Sequence, residues 1–125
     1  ERVNVERMHA NAIEAAEQCG ILRIPEVAAP AKLAAALAGL RPEQHLIVAD
    51  EEAPVADPIA ALQGVPPGPL AVLIGPEGGF DGEERRMLRN RPGTTLISLG
   101  PRIMRADTAA VAVLALVNAV LGDWR

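Results

Sequence analysis

The sequence has a single cysteine and no group of Cys and His residues at metal-ligand spacing. One cysteine cannot form an internal disulfide, so we expect a reducing, cytoplasmic setting and no bound metal. Long apolar runs are also missing, since the longest, Ala109 to Val117, is far shorter than the ~20 residues that span a bilayer. The chain does not open with a basic segment followed by an apolar one, so we expect no signal peptide and no membrane partner.

Acidic residues are missing from one stretch, residues 85–105, although the net charge of the 125-residue chain is −4. That stretch holds six of the twelve basic residues, all of them arginine. Such a segment is typical of a surface that contacts phosphates, and the alternative is an ordinary solvated helix face. Half of all residues are hydrophobic, which predicts one globular domain with a core of its own.

Two short apolar runs each end in a Gly-Pro loop. Leu70–Ile74 leads into Gly75-Pro76-Glu77-Gly78-Gly79-Phe80, and Leu96–Leu99 leads into Gly100-Pro101-Arg102-Ile103-Met104-Arg105. Apolar runs bounded in this way are typical of buried parallel strands. Because ligands of open α/β sheets lie outside the carboxyl ends of the strands, the two loops predict one shared site. Neither loop has the glycine spacing of a dinucleotide or P-loop phosphate site.

The rest of the chain predicts helices alternating with strands. We expect helices over Val5–Cys19 and Pro30–Leu40, a strand over Leu46–Ala49 and a helical turn over Asp57–Leu62. Two more helices are expected after the Gly-Pro loops. Asp81 and Glu84 would form a capping box at the start of the first, and Asp107 would cap the second. The last segment, Ala109–Leu121, is apolar on nearly every side. Such a helix must be covered, either inside the fold or by a second subunit.

Two segments of the chain resemble a known family. Ile74-Gly75-Pro76-Glu77-Gly78-Gly79-Phe80 and Leu99-Gly100-Pro101-Arg102-Ile103-Met104-Arg105-Ala106-Asp107-Thr108-Ala109 look like the two signature segments of the RsmE family, and Asn11–Gly20 with Arg23–Val27 is also similar. These are bacterial 16S rRNA (uracil-N3)-methyltransferases of the SPOUT superfamily. The resemblance implies an α/β fold: an open parallel sheet of SPOUT type, flanked by helices, with a C-terminal trefoil knot. It also implies a homodimer whose active sites lie at the interface.

The resemblance covers residues 1–125 as a SPOUT methyltransferase domain. It implies that the family's first strand and helix, and its N-terminal RNA-binding barrel domain, precede this stretch. The implied function is S-adenosylmethionine-dependent methylation of N3 of a specific uridine in 16S rRNA of the small ribosomal subunit. Where the family has Arg, this sequence has Ile21, and it has Ala106-Asp107 in place of Thr-Glu. The alternative is therefore a catalytically incomplete module that dimerises and binds cofactor or RNA.

The same resemblance assigns site residues. The cofactor S-adenosylmethionine is expected to bind Leu73, Ile74, Gly75, Pro76, Gly78, Gly79, Leu99, Gly100, Arg102, Ile103 and Met104. Glycines let the backbone approach such a ligand closely, and the prolines fix the loops.

Catalysis is expected from Arg105, Glu77 and Asp107. Arg105 would stabilise the uracil anion, and Glu77 or Asp107 would orient Arg105 or accept the N3 proton. For Asp107 a plain helix cap is the alternative. Arg85, Arg86 and Arg89 follow on a predicted helix and are expected to contact RNA phosphates.

Overall fold

The computed structural model describes residues 4–53, 57–76, 78–99 and 105–122. Helices and strands follow one another as α1 (Val5–Cys19), α2 (Leu33–Ala38), β1 (His45–Ala49), α3 (Pro58–Gln63), β2 (Leu70–Ile74), α4 (Gly82–Asn90), β3 (Thr94–Ile97) and α5 (Ala106–Val120). This order confirms the α/β class. The chain divides into two compact units, residues 1–36 and residues 37–125.

The first unit is built on α1, whose ends are where the sequence predicts them. The side chain of Asn4 accepts a hydrogen bond from the Arg7 N–H at 2.9 Å, which caps the first turn. At the other end Gly20 has a φ of 69°, a left-handed conformation that glycine adopts without strain. Ala16 is the buried residue of this helix, and Met8 is about half exposed.

The second unit contains a three-stranded parallel sheet in the order β2-β1-β3. The register pairs Ala49 at the end of β1 with Ile74 of β2 and with Ile97 of β3. All three strands therefore end level with one another, at the same edge of the sheet. We call this the carboxyl edge, and the start of the strands the amino edge.

Side chains alternate between the two faces of the sheet, and each face has its own core. On one face Ile47 and Ile97 pack with Leu62 of α3 and with Val113 and Val117 of α5. The other face has a second core, formed by Leu46, Val48, Phe80 and Leu88. Leu88 belongs to α4, so helices cover both faces, as expected for a parallel sheet.

Two predicted boundaries are wrong. The third strand is Thr94–Ile97 and not Leu96–Leu99, because polar residues open it: Nε2 of His45 and the hydroxyl of Thr95 form a 2.7 Å hydrogen bond across the strands. Strands were predicted from apolar residues, and the two threonines did not match that pattern. Helix α2 begins at Leu33 and not at Pro30, since its first hydrogen bond runs from the Ala36 N–H to the Lys32 carbonyl.

The predicted cap of α5 is also wrong. The helix begins at Ala106 with Arg105 as its N-cap residue, and no side chain caps it. Asp107 lies inside the first turn, where its carboxylate accepts a hydrogen bond from the Thr108 N–H at 2.8 Å. By contrast, Asp81 forms the capping box of α4 with Glu84, as predicted. Asp57, which the sequence places inside a helical turn, is the N-cap residue of α3.

Within the described ranges, no helix combines the length and apolarity that crossing a bilayer would need. The trefoil knot that the family resemblance implies would include the loop from Leu99 to Arg105, of which residues 100–104 lie outside the described ranges.

Candidate functional site

The carboxyl edge of the sheet brings together three loops. Gly75 follows β2 and donates its N–H to the Ala49 carbonyl at 3.2 Å, and Asp50 follows β1 and donates its N–H to the Ile97 carbonyl at 3.0 Å. Since neighbouring strands lie about 4.8 Å apart, the ends of β2 and β3 are separated by about 9–10 Å, with β1 between them. The sequence predicted that the two outer loops share a site, and the end of β1 forms its centre.

The loop that follows β2 folds closely over an aromatic ring. A Cβ on Gly75 would lie 2.9 Å from Cε2 of Phe80 and 3.2 Å from the Ala49 carbonyl oxygen. Phe80 itself is buried in the core of the α4 face. A side chain at position 75 would therefore push the loop off the sheet, which explains the glycine.

The tip of the same loop is a tight turn beside open space. Gly79 has a φ of 78° and donates its N–H to the Pro76 carbonyl at 2.8 Å. Among the residues that the structure describes, none has an atom within 4 Å of a Cβ placed on Gly78. The loop is thus held firmly on the protein side and leaves room for a ligand on the other.

A buried ion pair lies next to this turn. Arg85 of α4 reaches back to the end of β1 and donates from Nε to Asp50 Oδ2 and from Nη2 to Asp50 Oδ1, both at 3.1 Å. Its Nη1 lies 2.8 Å from Glu52 Oε2. The side chain of Asp50 is only 3% exposed, so its charge depends on these partners.

The ion pair shifts the ionisation of both partners. Burial raises the pKa of the Asp50 carboxyl. Hydrogen bonds from Arg85 and from the Glu52 N–H, together with the charges of Arg85 and Arg89, lower it by more than burial raises it. The pKa of Asp50 therefore lies below its ordinary value. The hydrogen bond to Asp50 in turn raises the pKa of Arg85. Asp50 therefore carries its negative charge at the floor of the site at neutral pH.

Of the predicted cofactor residues, the structure brings Leu73, Ile74, Gly75, Pro76, Gly78 and Gly79 to the end of β2, and Leu99 to the end of β3. Leu99 is partly buried against the core beneath α5. The remaining predicted cofactor residues, Gly100, Arg102, Ile103 and Met104, lie outside the described residues.

The predicted catalytic residues that can be placed are exposed. Arg105 Nε and Asp107 Oδ1 are 3.7 Å apart at the start of α5, with side chains 78% and 73% exposed. An ion pair in contact with water contributes little to stability, so both groups are available to a substrate. Glu77 lies outside the described residues.

The three arginines assigned to RNA differ in their surroundings. Arg86 and Arg89 are exposed on α4, whereas Arg85 is held by Asp50 and Glu52 and its side chain is 17% exposed. Sequence reasoning missed this pairing. The signal for it is the acidic segment Asp50-Glu51-Glu52, which directly follows a predicted buried strand.

The amino edge of the sheet has a cavity of different character. A space of about 320 Å³ is lined mainly by apolar residues: Gln63, Val65, Pro66, Pro67, Gly68, Leu70, Val120 and Leu121.

His45, at the start of β1, has a pKa below its ordinary value, because burial and the charge of Arg91 both lower it. Among the residues that the structure describes, no three His, Cys, Asp or Glu side chains come together as metal ligands would.

Comparison with known proteins finds a family match over most of the chain. Residues 1–118 match the family model described as RNA methyltransferase domain. The ribosomal RNA small subunit methyltransferase E of Rickettsia conorii is 32% identical over 118 residues, covering 93% of this chain and 47% of that protein.

Solved structures agree with this match. The ribosomal RNA small subunit methyltransferase E of Neisseria gonorrhoeae, solved bound to S-adenosylmethionine, superposes with a TM-score of 0.83 at 26% identity. The match covers 97% of this chain and 49% of that one. A methyltransferase structure from Legionella pneumophila, in complex with bound S-adenosylmethionine, gives a TM-score of 0.68 at 31% identity over 95% of this chain and 50% of that one. The chain thus spans about half the length of these proteins.

Proposed function

The chain belongs to the family of RNA methyltransferase domains, and on that basis we propose that it transfers a methyl group from S-adenosylmethionine to N3 of a uridine in 16S rRNA. The observation that carries the proposal is the glycine-rich turn at the carboxyl edge, with open space beside Gly78 and an ionised carboxylate at Asp50. The relatives named as small-subunit rRNA methyltransferases support the choice of RNA.

The residues at the carboxyl edge suit a ligand that combines an adenosine with a positively charged amino acid. Backbone groups of Gly75, Gly78 and Gly79 are accessible to an adenine edge because those residues have no side chains in the way. The ends of β2 and β3 are about 9–10 Å apart, enough for a nucleoside to lie across them. Arg85 balances the charge of Asp50, and the exposed carboxylates of Glu51 and Glu52 leave the segment after β1 negative, which favours a cation electrostatically. The unplaced residues Gly100, Arg102, Ile103 and Met104 would complete the site.

S-adenosylmethionine supplies an activated methyl group, and the chain's own residues must prepare the base. N3 of uracil carries a proton that has to leave, and the ring then holds negative charge. Arg105 is exposed at the start of α5, where its guanidinium can stabilise that charge. Asp107, 3.7 Å away, can orient Arg105 or accept the proton, and Glu77 is the other candidate for that role.

RNA would be held by exposed cations on α4. Arg86 and Arg89 face solvent on a helix that begins directly after the cofactor loop. Arg85 was assigned with them from the sequence, but its ion pairs leave it fewer free donors, so we propose the phosphate contacts for Arg86 and Arg89.

A homodimer would cover the outer side of α5. Val113 and Val117 pack on the sheet, while Val111 is 72% exposed and Leu114 is 48% exposed. Burying such apolar surface contributes ~25 cal/mol per Å², which favours association with a second copy. We propose, by the same family resemblance, that the segment before α5 forms a trefoil knot and that the protein acts on ribosomal subunits in the cytoplasm.

A methyl-transfer assay tests the proposal. Small ribosomal subunits lacking the modification would be incubated with S-adenosylmethionine and with either this chain or the longer protein that contains it. Digestion and mass spectrometry should then detect N3-methyluridine. Arg105→Ala should lower the rate at saturating RNA, by roughly 100-fold if it stabilises the anion, and should leave cofactor affinity unchanged.

Two results would contradict parts of this account. An Arg105→Ala variant with the parent rate would remove Arg105 from catalysis. Cofactor binding without methylation by either form would instead favour the catalytically incomplete binding module.

A further inference from the structure

Ion pairs join the segment that follows β1 to α4, next to the candidate cofactor loop. We call Asp50, Glu52 and Arg85 the clasp. Arg85 donates two hydrogen bonds to Asp50 at 3.1 Å and a third contact joins it to Glu52 at 2.8 Å. Two parallel bonds between a guanidinium and a carboxylate fix the angle as well as the distance between the two groups.

The clasp lies against the tip of the loop. A Cβ placed on Gly79 would be 3.2 Å from Arg85 Nη2 and 3.4 Å from Glu51 Oε1. The turn at Gly79 is therefore in contact with α4 on one side and with the segment after β1 on the other.

The start of the loop is attached to the same place. Gly75 donates its N–H to the carbonyl of Ala49, the residue that precedes Asp50. The loop thus leaves the sheet beside Asp50 and enters α4, which Arg85 ties back to Asp50. Opening the clasp would remove the contact at Gly79, while the hydrogen bond of Gly75 and the buried ring of Phe80 would stay in place.

A glycine-rich loop needs such a restraint if it is to bind a ligand well. Glycine has more backbone freedom than any other residue, so ordering Gly75, Gly78 and Gly79 at the moment of binding would weaken affinity. A loop that is already ordered avoids that loss.

We propose that Arg85 and Asp50 are positioning residues, which hold the turn at Gly78 and Gly79 in the shape that receives the cofactor. The identity of that ligand rests on the function proposed above, whereas the restraint on the loop does not. Arg85 would therefore act on the cofactor loop and not on RNA phosphates, although it lies in the arginine-rich segment.

The first test measures the loop without any ligand. Amide hydrogen exchange, followed by NMR, reports on the Gly79 N–H, which donates to Pro76 at 2.8 Å. In Arg85→Gln its exchange should accelerate by about tenfold, as expected for losing a charged hydrogen bond that restrains it. The matched control is Arg41→Gln, which removes the same charge from an exposed position just before the amino edge.

The second test measures binding of S-adenosylhomocysteine by calorimetry. Arg85→Gln should weaken affinity about tenfold while the control binds like the parent, and Arg85→Lys should recover part of the loss because it keeps the charge but not the paired bonds. If Arg85→Gln does not fold, Glu52→Gln serves instead. Glu52 is 65% exposed, and its loss should give a smaller acceleration at Gly79 in a folded protein.

The outcomes separate the two proposals. Unchanged exchange at Gly79 in Arg85→Gln, or in Glu52→Gln where that variant replaces it, overturns the clasp. The clasp is also overturned if the parent binds S-adenosylhomocysteine and the variant binds it with the same affinity. Accelerated exchange in a chain that never binds S-adenosylhomocysteine would support the clasp and count against the proposed function.

Discussion

Replacing Gly75 by alanine should destabilise the fold, because the structure leaves no room for one methyl group. The new Cβ would lie 2.9 Å from Phe80 Cε2, 3.3 Å from Phe80 Cζ and 3.2 Å from the Ala49 carbonyl oxygen. The ring is buried and the carbonyl belongs to β1, so neither can move freely. Overpacking of this kind costs about 1–3 kcal/mol.

That cost is measurable as a change in Tm. For a domain of 60–100 residues each kcal/mol corresponds to about 4–8 °C, so Gly75→Ala should melt on the order of 5–20 °C below the parent. Gly78→Ala is the matched control: its Cβ would meet no atom of the described residues within 4 Å, so its stability should stay within about 0.5 kcal/mol of the parent. Scanning calorimetry or circular dichroism would measure all three proteins.

A double variant tests the cause. Phe80→Leu removes the ring atoms that clash, so Gly75→Ala should cost less in a Phe80→Leu background than in the parent. The reasoning would be refuted if Gly75→Ala melted within about 2 °C of the parent, or if the two changes were simply additive.

Three further predictions concern charge and association. Replacing Arg86 and Arg89 by alanine should weaken RNA binding for any sequence and lower the salt slope by about 1–2, measured by titration at several salt concentrations; an unchanged slope would exclude both as phosphate contacts. Val111→Glu places a charge on the exposed face of α5 and should give a monomer by sedimentation, and a parent that is itself monomeric would contradict the dimer. The pKa of Asp50 is below 3.8 in the folded protein, so its stabilising effect is present above 3.8 and is lost as pH falls through the folded value. The difference in unfolding free energy between the parent and Asp50→Asn should therefore shrink at acid pH in urea titrations, and a constant difference would argue against the ion pair.

Local signals in the sequence were enough to predict most of the fold. The capping box of Asp81 and Glu84 acts over only three residues, and apolar runs predicted β1 and β2. The start of β3 could not be predicted in this way, because Thr95 is bonded to His45, which is fifty positions away in the sequence.

The candidate site was predicted only in part, for the same physical reason. Strand ends and Gly-Pro loops are visible in the sequence, so the position of the site at the carboxyl edge could be inferred. The acidic segment after β1 signals that a basic partner is needed, but which arginine supplies it depends on the strand order, which brings α4 next to the end of β1. An arginine that the sequence assigns to an RNA-binding face can therefore be paired with carboxylates inside the fold.

The most direct test of the account is to find where the cofactor binds. Titrating the ¹⁵N-labelled chain with S-adenosylhomocysteine should shift the amide signals of Gly75, Gly78, Gly79 and Leu99 at the carboxyl edge, and leave Gly68 at the amino edge unchanged. Shifts confined to the residues around the amino-edge cavity, or no shifts at saturating ligand, would contradict the proposed site.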